Sequence, residues 1–242
     1  AEHLPEVRIL VGADRWQNAR SYEDKYPVDV FILDDGFQHW RLKRELDIVL
    51  IDATDPWGNG EAIPRGILRE PMSSLKRAGI FVISKCDLGK DNVAAVRARL
   101  NEIKPGAVIA EAVHRPVSVI DLRANKKLGL ECVRGKRTLL LSSIGDPDSF
   151  EKTATGIGAA VEEKYSFMDH HVYKKEELAA VARSCRDRAV QTVLTTEKDA
   201  VKLKEHLSDF PPEIMIGALQ IKMTIMEGQE EFFGRVASLL HR

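Results

Sequence analysis

Short apolar runs alternate with amphipathic stretches along nearly the whole chain, and this alternation restricts the fold more than any other feature. Apolar runs of roughly 4–8 residues suit strands buried on both faces of a sheet. Strands are expected at 7–11, 28–33, 47–51, 80–84 and 107–110, then at 138–141, 161–167, 192–195 and 214–218. Helices are expected at 14–25, 92–103, 147–156, 174–188, 198–206 and 228–240. Leu178, Val181 and Cys185 repeat at helical spacing and mark one apolar face. Strands alternating with helices imply parallel sheets covered by helices. Residues 113–136 break the pattern with Arg-Pro, Lys-Lys and Gly-Lys pairs. They read as a connecting region with short antiparallel strands, between a lobe at 1–112 and a second at 137–242.

Composition removes several function classes. The 242 residues carry a formal net charge of −1, so no global basic field exists for nucleic acid, and no nucleic-acid partner is expected. No apolar run approaches the roughly 18–20 residues of a membrane span. The first ten residues hold acids and a proline where a signal peptide needs an apolar stretch. Cys86, Cys132 and Cys185 are far apart and form no CxxC pair, so a reducing, cytoplasmic setting is expected, without zinc or disulfides. The chain starts with Ala and enters a strand-like run almost at once, which suggests a cut-down chain.

The decapeptide 30–39, Val-Phe-Ile-Leu-Asp-Asp-Gly-Phe-Gln-His, carries the most chemistry. Four apolar residues followed by Asp34 and Asp35 have the form of a buried strand that presents a carboxylate to Mg²⁺ and nucleotide phosphates. Gly36 then allows a sharp turn. The same residues also fit a plain strand followed by an Asp-Gly turn. Residues 57–71 are too rich in Gly and Pro for regular structure and form a loop at the carboxyl edge of a strand, where open α/β sheets bind ligands. That loop presents Arg65, Arg69 and Glu70. Arginines there can grip phosphates, and Glu70 can add a second oxygen to a metal held by Asp34. Ser84-Lys85-Cys86-Asp87 is a weak echo of a GTPase base-reading motif and otherwise a polar strand end. At 167–173, an acid and two histidines precede a helix, where Asp169 can orient an imidazole that accepts a hydroxyl proton. A plain helix-entry turn fits as well. Thr195 or Thr196 is placed to cap the following helix.

These segments together resemble one family, tetraacyldisaccharide 4′-kinase, the lipid A 4′-kinase of Gram-negative bacteria. The matching stretches are residues 34–39; Gly58-Asn59-Gly60; Pro64 with Leu68-Arg69-Glu70-Pro71; Gly145-Asp146-Pro147 with Ser149-Phe150; residues 167–171; and Thr195-Thr196-Glu197-Lys198-Asp199. The resemblance implies a P-loop kinase of two α/β lobes joined by a small β linker. It implies transfer of the ATP γ-phosphoryl group, with Mg²⁺, to the 4′-hydroxyl of a tetraacylated glucosamine disaccharide 1-phosphate. The implied place of work is the cytoplasmic face of the inner membrane, as a peripheral protein without a stable protein partner. By the same resemblance Asp34 is the Mg²⁺-associated acid with Asp35 beside it, and Glu70 the second metal carboxylate. Arg69 contacts phosphate or substrate, Gln38 and His39 lie near the nucleotide or the linker, and His170 is the histidine paired with an acidic base.

One departure stands out. The family carries a GxxxxGK[ST] phosphate loop about a hundred residues before Asp-Asp-Gly-Phe-Gln-His, an N-terminal apolar helix and an aspartate base, and this sequence has none of them. The expectation is a kinase lobe incomplete at its N-terminus that does not turn over ATP alone. A non-catalytic relative that binds metal and lipid phosphate is the second hypothesis, and an unrelated GTPase-like protein the third.

Overall fold

The computed structural model of the chain describes residues 6–169 and 171–240. It is an α/β fold with mostly parallel strands. The chain divides into two units, one of residues 1–113 and 225–242, the other of 114–224.

In the first unit, helix α1 (Arg15–Glu23) is followed by strands β1 (Ile48–Asp52) and β2 (Ile80–Ser84), helix α2 (Lys90–Ile103) and the start of β3 (Val108–Asp121). β2 pairs in parallel with β1 on one side and β3 on the other. Every residue of β2 is buried, because its alternating side chains serve two layers. Phe81 and Ile83 join Val96 and Leu100 of α2. Ile80 and Val82 join Ala110 and Ala112, against which Phe232 and Val236 of helix α6 (Gln229–Leu240) pack. This packing explains why the C-terminal helix belongs with the first unit, although the sequence pattern assigns it to a lobe at 137–242.

The second unit contains β4 (Lys126–Leu128), β5 (Arg137–Ser142), α3 (Pro147–Gly156), β6 (Ala160–Ser166), α4 (Lys175–Asp187), β7 (Thr192–Thr196), α5 (Glu197–Leu203) and most of β8 (Met215–Glu227). β5 sits between β6 and β7 in parallel, and β7 pairs in parallel with β8. Leu139, Leu141, Val193 and Ile216 pack on Leu178, Val181 and Cys185 of α4. Leu140, Leu194 and Leu219 pack on Phe150 and Ala154 of α3. The connecting region 113–136 contains the second half of β3, antiparallel β4 and a short 3₁₀ turn at Leu130–Val133.

Two expected strands do not form. Residues 7–11 and 28–33 carry no strand pairing. Apolar residues make a strand only when a neighbouring strand satisfies their backbone groups. β1 ends the strand order, and no described strand lies on its open side. Val30, Phe31 and Ile32 therefore stay exposed, Ile32 at 91%. The helix expected at 198–206 ends at Leu203 and tightens into a 3₁₀ turn at Lys204–Asp209.

Candidate functional site

The Asp-Asp-Gly turn does not cap a buried strand. Asp34 and Asp35 are both exposed. Asp35, not the glycine, takes the left-handed backbone conformation, with φ of 49°, which Asp tolerates better than most residues. Gly36 is needed for space, since a Cβ there would come within 2.5 Å of the Leu33 side chain.

A guanidinium fork joins this turn to the 57–71 loop. Arg69 Nη1 donates to Asp35 Oδ1 at 2.8 Å and Nη2 donates to Oδ2 at 2.9 Å. Nη1 also reaches Gln38 Oε1 at 3.1 Å. This bidentate pair gives orientation as well as attraction. The Arg69 hydrogen bonds hold the Asp35 carboxyl below its usual range, and Asp35 in turn raises Arg69. Arg15 at the start of α1 donates to the Asp35 carbonyl oxygen at 3.4 Å. Gly12, Ala13, Arg15, Asp35, Gln38 and His39 line a shallow cavity of about 270 Å³. The structure thus brings Asp35, Gln38, His39 and Arg69 together. Arg65 stays exposed on the loop, and its carbonyl oxygen accepts from Asn59 Nδ2 at 2.7 Å.

Glu70 has a different partner from the one expected. Its carboxylate faces Arg77, with Nη1 2.8 Å from Oε2 and Nη2 donating to Oε1 at 3.0 Å. The Arg77 hydrogen bond lowers the Glu70 pKa, over a smaller opposing effect of burial. No group of three His, Cys, Asp or Glu side chains among the described residues is placed to hold a metal ion. Mg²⁺ commonly takes one or two protein carboxylates and completes its shell with water and substrate phosphates. Asp34, exposed and next in the chain to Asp35, is a carboxylate of the kind that role needs. Glu70 is paired with Arg77 here, and Gln38 lies within hydrogen-bond reach of the same carboxylate.

The second unit holds the remaining candidates. His170 lies outside the described residues. His171 stacks on Phe167 with ring centroids 4.6 Å apart, and its Nε2 lies 2.8 Å from Glu177 Oε2. Glu177 also accepts the Lys174 N–H, and the His171 hydrogen bond lowers its pKa. Asp169 accepts from Lys198 Nζ at 2.6 Å, and the carboxylate that orients His171 is that of Glu177. Thr196, rather than Thr195, caps α5, accepting from the Asp199 N–H. Asp199 is fully buried and accepts from Ser143 N at 2.9 Å, Ser143 Oγ and Lys202 Nζ at 3.1 Å. Burial pushes its pKa up, but these hydrogen bonds outweigh it and the net shift is downward. Asp146 caps α3 through the Ser149 N–H. Lys85 of the GTPase-like tetrapeptide donates to Asp52 Oδ2 at 2.5 Å, as a strand-end residue does. Sequence reasoning missed Arg15, Arg77 and Glu177. Only Glu177 had a signal, an acid three residues after the Lys174 that precedes the helix.

The family model for tetraacyldisaccharide-1-P 4′-kinase matches residues 1–241. The chain belongs to this family. A tetraacyldisaccharide 4′-kinase from Halothermothrix orenii is 38% identical over 82% of this chain and 54% of its own length. One from Syntrophus aciditrophicus is 36% identical over 84% and 56%. One from Anaeromyxobacter sp. is 37% identical over 100% of this chain and 64% of its own. The chain thus spans a little over half the length of these kinases. The crystal structure of LpxK from Aquifex aeolicus in complex with ATP superposes with a TM-score of 0.61 at 24% identity, over 94% of this chain and 62% of that one. That likeness is one of fold. Among the described residues no helix is long and apolar enough to cross a membrane.

Proposed function

We propose that these residues form part of an ATP-dependent kinase that phosphorylates the 4′-hydroxyl of a tetraacyl glucosamine disaccharide 1-phosphate. The observation that carries this reading is the Arg69–Asp35 fork. It locks together the two sequence motifs that mark the family, and the carboxylate next in the chain, Asp34, is exposed. Family membership and the ATP complex of the Aquifex structure support ATP as the phosphoryl donor.

Phosphoryl transfer needs positioning and charge neutralisation more than covalent chemistry. Asp34 would hold Mg²⁺, which neutralises phosphate charge when bound. Asp35 fixes the Arg69 plane, so that the remaining guanidinium edge meets phosphate oxygens at a set angle. Arg15 adds positive charge at the turn, and Arg65 on the exposed loop is a further arginine that can grip phosphate. Gln38 and His39 line the neighbouring cavity and offer polar contacts to the nucleotide. We place His170 as the histidine that takes the acceptor's proton; its neighbour His171 is held by the Phe167 stack and Glu177. The acylated acceptor implies work at a membrane surface, which we take to be the cytoplasmic face of the inner membrane.

The sequence has no GxxxxGK[ST] phosphate loop. We infer that residues 1–242 by themselves bind Mg–ATP without transferring phosphate. Calorimetric titration of the purified chain with Mg–ATP and a transfer assay on the disaccharide test both parts. Asp34→Asn is expected to remove the Mg²⁺ dependence of binding, and Arg69→Ala to weaken ATP by about tenfold or more. Binding indifferent to both substitutions would refute the assignment of the site. Measurable 4′-phosphorylation would refute the need for a further phosphate loop.

A further inference from the structure

Arg77 lies outside the motifs that define the site, yet it touches both of them. Its guanidinium lies over the Phe37 ring and over the Trp40 ring, 4.2 Å from each centroid. Its edge donates to the Phe37 carbonyl oxygen at 3.2 Å and to Glu70 at 3.0 Å. The Arg77 side chain is 26% exposed and that of Glu70 14%, so the pair is largely shielded from water. Shielding strengthens both the ion pair and the cation–π contacts. Arg77 itself is anchored. It ends the 3₁₀ turn Met72–Arg77, and the next residues, Ala78 and Gly79, lead into the buried strand β2. Ala78 is completely buried and packs with Phe81 and Leu100.

The turn at 34–40 is seated by Phe37, whose ring packs against the cluster of Ile51, Phe81 and Val96, and by a few polar contacts. Its own hydrogen bonds are short-range, from His39 N to Gly36 O and Trp40 N to Gln38 O. Arg44 secures its far end through the His39 carbonyl oxygen at 2.6 Å. The Arg69 fork lies on the exposed side, where solvent weakens it. Arg77 adds a polar tie to that packing: it grips the middle of the turn through a backbone carbonyl and two rings, and joins it to the neighbouring motif's carboxylate.

We propose that Arg77 is a positioning residue: it sets where Asp34 and Asp35 stand relative to Arg69 by clamping Phe37 and Trp40 to Glu70. Its effect on nucleotide binding rests on the kinase reading above, whereas its hold on the turn does not. Lysine cannot replace it, because an ammonium lacks both the plane that stacks between rings and the fork that meets a carboxylate and a carbonyl together.

The test uses Arg77→Lys and Arg77→Gln in the full chain, with two measurements. Amide hydrogen exchange is expected to quicken about tenfold or more over residues 36–42 in both variants, with β2 and α2 exchanging as before. Arg41→Lys serves as a matched control on a nearby exposed arginine and is expected to leave residues 36–42 unchanged. Unchanged exchange over 36–42 in the Arg77 variants, or loosening spread equally through β2 and α2, would overturn the proposal. The second measurement is the Mg²⁺ concentration that half-saturates ATP binding. It is expected to rise at least about fivefold in Arg77→Lys at a thermal midpoint within about 2 °C of the parent. If the parent chain binds no Mg–ATP, the kinase reading fails while the exchange measurement still decides the role of Arg77. If the parent binds and Arg77→Lys shows the parent's Mg²⁺ dependence, the positioning role is overturned.

Discussion

Residues 30–33 read Val-Phe-Ile-Leu and residues 80–83 read Ile-Phe-Val-Ile, yet their fates are opposite. The second run is a fully buried strand, and the first is unpaired, with Val30, Phe31 and Ile32 exposed. Composition does not separate them, and both precede a polar residue. What separates them is the neighbourhood. Ile80–Ser84 has a hydrogen-bonded strand on each side and a helix on each face. Residues 30–33 have none of these among the described residues. An apolar run acquires strand geometry only from partners that satisfy its backbone and cover its side chains.

Substitutions at the two sites measure that difference. The largest effect is expected for Phe81→Ala, which removes a ring with no exposed surface from the layer between β2 and α2. Chemical denaturation should show a loss of about 3–5 kcal/mol. In the second unit, Asp199→Ala should cost nearly as much, about 3 kcal/mol, because it leaves the Ser143 N–H without its acceptor and Lys202 without its counter-charge. A loss below about 1 kcal/mol in either case would mean that these buried layers carry less of the stability than their packing implies.

Much of the fold could be read from periodicity. The strands at 80–84, 138–141 and 192–195 and the helix face of Leu178, Val181 and Cys185 follow from apolar spacing alone, because both faces of each sheet are covered. The exposure of residues 28–33 could not be read, since pairing is a property of space and not of spacing. The placing of α6 with the first unit was hidden for the same reason: Phe232 and Val236 meet Ile80 and Val82 across a long separation in sequence. In the site, Asp35, Gln38 and Arg69 could be picked out because their motifs are specific. Arg77 could not, because Ser-Leu-Lys-Arg looks like any solvated turn until its guanidinium is seen between two rings.

The Glu70–Arg77 contact gives a smaller, pH-dependent effect on the margin between the two runs. The Arg77 hydrogen bond depresses the folded pKa of Glu70 below its ordinary 4.5. The carboxylate therefore contributes stability that is present above the unfolded pKa and lost as pH falls through the lower folded value. Glu70→Gln should cost about 1 kcal/mol at pH 7. The gap between parent and variant should stay level from neutral pH to about 5.5 and narrow as pH falls below about 4.5. A gap that widens on acidification would contradict the pairing.

The smallest effect is expected where the contrast began. Ile32→Ser removes an aliphatic side chain that is 91% exposed and touches no core cluster. In residues 1–242 the change should lie within about 0.5 kcal/mol of zero, as for other exposed positions. Leu50, 56% exposed on the open side of β1, gives a matched probe on a residue that is already in a strand. If another segment or molecule pairs with β1 and covers residues 30–33 in the working protein, Ile32→Ser should cost about 2 kcal/mol or more there, close to the value for burying such a side chain. Comparing the same substitution in the 242-residue chain and in that setting decides whether this run is a strand awaiting its neighbour. Equal, near-zero costs in both would mean that it is surface in each.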